Sequence, residues 1–288
     1  MSGLIKMANW YPGHMAKAKK RLKNDLKLVD LVVELLDARI PRSSRNPDLD
    51  QLLENQERVV VLNKKDLASP EITNNWVKYF SEVVPTRAVN AKDGVGMSGL
   101  IEVINNVHQK IQDKARKKGR KNRAIRIMVI GIPNVGKSAL INSLAGHGRA
   151  KTGNKPGVTR GKQWINVDDN IELMDTPGIL WPDIESDEVS NKLAITGAVR
   201  TKNFDKELMA YQIIKNITKI NPSILEDEYN IHIGDIHPYD VLSLIGKKRG
   251  CLMSGGRIDK ERVSKIILKD YRKGNYGSLS LESPEMED

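Results

Sequence analysis

Apolar residues fall into short unbroken runs separated by stretches in which they recur every three or four positions. The run Leu31 to Leu36 is apolar except for Glu34 and reads as a buried strand ending near Asp37, although periodicity alone also fits a helix. Val59 to Leu62, Val83 to Val89 and Ile125 to Ile130 read the same way. Gln163 to Val167 and Ile171 to Met174 are shorter and joined by the turn Asp168-Asp169-Asn170. Helical spacing appears over 49–55, 69–80, 100–111 and 137–144. Strands alternating with helices predict a mainly parallel α/β sheet with helices on both faces. Ahead of them, Met15, Ala18, Leu22 and Leu26 mark an amphipathic helix over 14–27 with a basic outer face.

After Pro182 the strand signals stop. Helices are expected over 187–198, 204–218, 238–246 and 259–271. Asp259 can cap the last, whose Val263, Ile266 and Ile267 share a face. The expected organisation is therefore an α/β domain with an N-terminal extension over 1–184 and a helical domain over 185–288, with a frayed acidic end.

Composition narrows the partners. At 288 residues, 39% hydrophobic and 29% charged, the chain is globular and fits two domains. A formal net charge of +11 leans toward a polyanion, either nucleic acid or an anionic membrane surface. The segment 110–126 holds nine Lys or Arg against one Asp, as a solvated connector or as a phosphate-contacting surface. Cys251 is the single cysteine, which rules out an intrachain disulfide framework and an all-cysteine metal site. No apolar run reaches the length of a spanning helix and the N-terminus does not read as a signal peptide, so a cytoplasmic protein without stable membrane insertion is expected.

The chemistry is concentrated in loops at strand ends. Gly131-Ile132-Pro133-Asn134-Val135-Gly136-Lys137-Ser138 follows a strand, opens a helix and matches the phosphate-binding loop in full. Its glycines let the backbone wrap phosphates, Lys137 can reach the β and γ phosphates, and Ser138 can offer its hydroxyl to Mg²⁺. Asp175-Thr176-Pro177-Gly178 follows the strand 171–174. Asp175 there can hold the Mg²⁺ shell and the Gly178 amide can meet the γ-phosphate; alone, this is also a common turn. Between the two, Thr159 is either a second hydroxyl for Mg²⁺ or an ordinary polar loop residue.

Asn63-Lys64-Lys65-Asp66 follows the second strand. The Asp66 carboxylate can accept from the N1–H and N2–H₂ edge of guanine, a donor pair that adenine lacks. Asn63 can bridge the base to the phosphate loop and the Lys64 stem can cover the ring. Asn90-Ala91-Lys92 follows the third strand and can bring the Ala91 amide to guanine O6. These base-binding motifs precede the phosphate motifs, the reverse of an ordinary small GTPase. The chain thus resembles the circularly permuted GTPases, and within them the ribosome biogenesis GTPase A family. The resemblance rests on Trp10-Tyr11-Pro12-Gly13-His14-Met15, Asp37-Ala38-Arg39-Ile40-Pro41, Ser44-Arg45-Asn46-Pro47, the segment 131–138, DTPGILWP at 175–182 and RGCLMSGG at 249–256. It implies a circularly permuted small-GTPase fold with 110–126 as the new joint, a helical RNA- or ribosome-binding domain, GTP and GDP as ligands, and the large ribosomal subunit precursor, its rRNA and ribosomal proteins as partners. A GTPase switch acting on another RNA or a membrane-associated partner is the alternative. Tyr11 stands where the family usually has Phe, Asn90 where small GTPases usually have Ser, and Ala139 where Thr is frequent.

No glutamine follows Gly178 to orient the attacking water; Ile179 and Leu180 occupy those places. His14, in a polar turn, can serve as a helix cap or can bond that water. The resemblance implies a histidine in this motif that moves toward the γ-phosphate. It also implies that an Asn at position 134 helps to bind K⁺ beside the phosphates, against a simple loop-stabilising role.

Overall fold

The computed structural model describes residues 20–119, 121–147, 164–167, 169–174 and 186–285. These divide into two compact units, one formed by 20–66, 70–174 and 282–285, the other by 67–69 and 186–281.

In the first unit six strands form one sheet: β1 Leu31–Asp37, β2 Glu57–Asn63, β3 Thr86–Ala88, β4 Ile125–Ile130, β5 Trp164–Asn166 and β6 Ile171–Met174. Their order is β3-β2-β1-β4-β6-β5, all parallel except the β5–β6 pair. The helices are α1 Asp48–Leu52, α2 Pro70–Ser81, α3 Met97–Arg116 and α4 Lys137–His147. Every β1 residue is buried, as a central strand covered on both faces requires. On one face Val32, Met128, Ile130 and Met174 pack with Leu49, Leu53 and with Leu22 and Leu26 of the helical segment 20–26.

Glu34 interrupts the apolar run of β1 and is fully buried all the same. Arg45 and Arg58 each approach its carboxylate to 3.4 Å. Burial raises its pKa and the two guanidiniums offset part of that rise.

Several element boundaries shift by a few residues from expectation, and two of the shifts have a visible cause or consequence. The third strand is shorter than 83–89 because Val83 and Val84 donate their N–H groups to Phe80 O, leaving Val83 as an exposed turn residue after α2. The third helix runs past residue 111 to Arg116, so the basic segment begins as helix rather than as a connector. Beyond it, Arg123 makes a paired contact with Asp30 at 2.7 Å, and Arg126 bonds Glu172 and covers Trp164. Part of the segment's charge therefore serves the fold, while Lys117, Lys118 and Lys121 are exposed.

The second unit contains α5 Asp187–Thr196, α6 Lys206–Ile220, α7 Ser223–Tyr229, α8 Pro238–Lys248 and α9 Lys260–Lys273. Its core is Met209, Ile213, Ile214 and Ile217 of α6 against Val241 and Ile245 of α8 and Val263, Ile267 and Leu268 of α9. Asp259 caps α9 by accepting from the Arg262 N–H, and Arg272 donates to the last carbonyls of α5, Ala194 O and Ile195 O. The helix α7 escapes the periodicity reading because it is only seven residues long. Among the described residues no helix is long and apolar enough to cross a membrane.

Candidate nucleotide-binding site

The loops carrying the motifs lie together at the carboxyl ends of β1, β2, β3 and β4, where open parallel sheets bind ligands. The loop after β4 turns tightly into α4. A Cβ on Gly131 would lie 2.5 Å from Leu35 O, so β1 and the loop can touch only at a glycine. Asn134 has a φ of 58°, and Gly136 a φ of 104°. A Cβ on Gly136 would lie 2.2 Å from Asn63 Nδ2, so this glycine also makes room for the base motif.

Asn63, at the end of β2, is buried and joins the loops. Its Nδ2 donates to Val135 O at 2.8 Å and its Oδ1 accepts from Ala91 N–H at 3.0 Å. One side chain thereby ties the loops after β2, β3 and β4. The Ala91 amide expected to meet guanine O6 points at Asn63 in this arrangement. Asn90 uses its own side chain locally: Oδ1 accepts from Lys92 and Asp93 N–H and Nδ2 donates to Asp93. The residue that replaces the usual Ser thus shapes the loop that presents Ala91. Asp66 is exposed at the start of a 3₁₀ turn over Lys65–Leu67.

Lys64 has a φ of 61°, and its ammonium donates to Asn134 O at 2.7 Å and to Asp37 Oδ2 at 2.9 Å. Asp37, part of a family motif, is a site residue to which the sequence reading gives no role. It ends β1, is fully buried, and receives Arg39 through Nε, Nη2 and the backbone N–H. Burial pushes its carboxyl pKa up, but the Arg39 guanidinium and the Lys64 ammonium outweigh that and hold it well below the usual range. A carboxylate ending a strand directly beside the predicted base loop was the available signal. The loop after Asp37 is held in turn by Glu282, whose carboxylate accepts from Arg42 N–H, Ser43 N–H and the Ser43 hydroxyl.

Lys137 Nζ donates to Gly131 O at 3.0 Å and Ile132 O at 2.9 Å, folded back along its own loop. Burial lowers its pKa. Facing a triphosphate, the same ammonium would exchange carbonyl dipoles for full negative charges. Ser138 is exposed in the first turn of α4, where the backbone N–H groups and the positive end of the helix dipole point outward. His14, Thr159, Asp175 and Gly178 lie outside the described residues. Ser138 is thus the one proposed Mg²⁺ ligand among the described residues, and its exposed hydroxyl beside Lys137 suits a hard cation bridging phosphate oxygens. Among those residues no group of three or more His, Cys, Asp or Glu side chains could hold a metal ion by itself.

Residues 126–231 match the family model described as 50S ribosome-binding GTPase. Ribosome biogenesis GTPase A of Priestia megaterium is 44% identical over 280 residues, covering 96% of each chain. Its namesake from Thermotoga maritima is 30% identical, covering 96% of this chain and 95% of that one. Among solved structures, GNP-bound YlqF from T. maritima superposes with a TM-score of 0.64 at 26% identity, over 93% of this chain and 99% of that one. The GDP-bound form gives 0.65 over 92% and 99%.

Proposed function

The chain belongs to the ribosome biogenesis GTPase A family, and from that premise we propose that it hydrolyses GTP to GDP and phosphate as an assembly factor of the large ribosomal subunit. The observation that carries the reading is Asn63, which ties a guanine-type base loop to the phosphate loop through Val135 O and Ala91 N–H. Asp66 accepts from the N1–H and N2–H₂ edge of guanine, Lys64 covers the ring, and the Ala91 amide reads O6. The amides of 131–138 and the Lys137 ammonium hold the phosphates. Mg²⁺ bound by Ser138, Thr159 and Asp175 would spread charge across the β and γ oxygens. On the motif reading the Gly178 amide meets the γ-phosphate and the Thr159 hydroxyl the metal.

The side chains after Gly178 are Ile179 and Leu180, so the attacking water needs another partner. We assign His14 to it. To Asn134, exposed in the phosphate loop, we assign K⁺ binding beside the phosphates. The subunit, on this reading, completes the catalytic arrangement and so stimulates turnover. The test is GTP and ATP hydrolysis in KCl, alone and with purified large subunits, small subunits, bulk RNA or liposomes. GTP turnover is expected to rise only with large subunits. ATP turned over as fast as GTP would overturn the base assignment, and equal stimulation by liposomes or bulk RNA would overturn the partner.

A further inference from the structure

Residues 251–258, Cys-Leu-Met-Ser-Gly-Gly-Arg-Ile, form a small hairpin between α8 and α9. Its base is firmly seated. Cys251 is fully buried, its N–H donates to Gly246 O at 2.9 Å, and its carbonyl accepts from Asp259 N–H at 2.8 Å. Leu252 pairs with Ile258 as an antiparallel bridge, and Met253 N–H donates to Arg257 O at 2.7 Å. Ile258 lies so close to α8 that a Cβ on Gly246 would be 2.6 Å from its Cγ2. Gly255 and Gly256 make the reversal with φ of 78° and 74°.

What this rigid base presents is unusual for a surface turn. Leu252 and Met253, on the hairpin's first strand, are each 52% exposed. Lys247, Lys248 and Arg249 flank them from the end of α8, and Arg257 flanks them from the returning strand. Arg249 is engaged, lying over the Tyr229 ring and contacting Glu228. Among the described residues no ion pair forms at Lys247, Lys248 or Arg257, whereas Lys206 and Lys265 of the same unit both contact Glu261.

Two apolar side chains are too few for the core of a stable protein interface, which buries about 800 Å² per partner. They are also too few to anchor a bilayer surface, which one whole acyl chain grips only marginally. They suit a partly unstacked base: Leu and Met wedges insert against bases at unstacked steps of duplex DNA, splayed bases are what proteins read in RNA loops and bulges, and adjoining cations can meet the phosphates on either side. A preformed hairpin also lowers the ordering cost of docking. We propose that the hairpin 251–258 is an RNA-docking element, with Leu252 and Met253 packing on an exposed base of large-subunit rRNA and Lys247, Lys248 and Arg257 seating on neighbouring phosphates. The proposal rests on the assembly-factor reading above and names the contact chemistry on its helical unit.

The test measures affinity for purified large ribosomal subunits, with a non-hydrolysable GTP analogue, across a KCl series. Three proteins are compared: wild type, Leu252→Ala with Met253→Ala, and Lys247→Glu with Lys248→Glu and Arg257→Glu. All the changed side chains are exposed, so the thermal midpoint and unstimulated GTP hydrolysis should stay at wild-type values. The apolar variant should bind about tenfold more weakly with an unchanged salt slope. The charge variant should bind more weakly with a slope shallower by about 2, as expected when three phosphate contacts are lost at ~0.7 each. A photo-crosslinking phenylalanine at position 253 should capture rRNA. Wild-type binding matched by both variants would overturn the docking element alone, as would crosslinks confined to ribosomal protein. Failure of the wild type to bind large subunits would overturn the assembly-factor reading and the docking element together.

Discussion

Asp37 links the fold's central strand to the nucleotide loops, and its protonation has a predictable sign. Its folded pKa lies below the ordinary 3.8 because Arg39 and Lys64 outweigh the effect of burial. The unfolded chain therefore takes up the proton first as pH falls. The stabilisation is complete above about pH 3.8 and is lost progressively below it. Asp37→Asn should cost about 3–5 kcal/mol at neutral pH, since it leaves Arg39 and Lys64 facing an amide in a buried site. The penalty should shrink toward pH 3, where protonation of Asp37 in the unfolded wild-type chain already removes part of its advantage. Urea unfolding at both pH values checks this; a penalty independent of pH would show that the charge of Asp37 is irrelevant. Gly136 makes a second residue-scale test. Its φ of 104° and the 2.2 Å approach of Asn63 Nδ2 to a would-be Cβ leave Gly136→Ala no unstrained option. A cost of about 1–3 kcal/mol in backbone strain, with Asn63 displaced from Val135 O, should weaken GDP binding by at least about tenfold. Calorimetric titration measures it, and unchanged GDP affinity would mean that Asn63 does not need its bridge.

At the scale of elements, the tail residues 282–285 belong with the nucleotide-binding unit although they follow α9 in the chain. Glu282 is buried, its carboxylate holds the backbone of Arg42 and Ser43, and its carbonyl accepts from Trp76 Nε1 at 3.2 Å. This one residue ties the loop after β1 to α2. Glu282→Ala should destabilise the unit by about 1.5–3 kcal/mol, the range for hydrogen bonds to a charged group. Glu282→Gln keeps an acceptor oxygen and should recover part of the loss. Thermal unfolding followed by Trp76 fluorescence separates the two variants, and equal midpoints for Ala and wild type would reduce the contact to a passive one. The stretch 283–288 next to Glu282 reads as frayed polar sequence when met without the fold. Its end, beyond residue 285, lies outside the described residues.

For the whole molecule, charge distribution governs association. The net charge of +11 is not spread as free charge, because Arg123, Arg126 and Arg39 are engaged with Asp30, Glu172 and Asp37. Lys117, Lys118 and Lys121 are exposed beyond α3. Reversing these three to Glu should weaken large-subunit association and flatten its dependence on KCl while leaving GDP affinity within about twofold, since none of them contacts the nucleotide loops. Sedimentation across a KCl series tests it. Pelleting that ignores the reversal would leave this stretch as a solvated connector and place the RNA contact elsewhere.

Several features were decided by the order of residues alone. Short apolar runs bounded by turn residues suit buried strands, although periodicity alone leaves a helix open, and β1, β4 and β6 fall at 31–37, 125–130 and 171–174 as the strand pattern predicts. Motif spacing names the loops after β2, β3 and β4, because phosphate and guanine chemistry demand particular residue types at fixed offsets. The parallel pairing of β1 with both β2 and β4 then explains how base motifs that come first in the chain adjoin a phosphate loop that comes later. Other features needed the tertiary structure, because each depends on partners far away along the chain. Glu34 looks like an interruption in a strand until Arg45 and Arg58 converge on it. Asp37 looks like a strand terminator until Lys64 reaches it across the sheet edge. Gly136 is a loop glycine in the motif, but the close approach of Asn63, 73 positions earlier, makes it necessary. Local propensity is written in neighbouring residues, whereas desolvation, charge pairing and close backbone approach arise only when distant segments share one small volume.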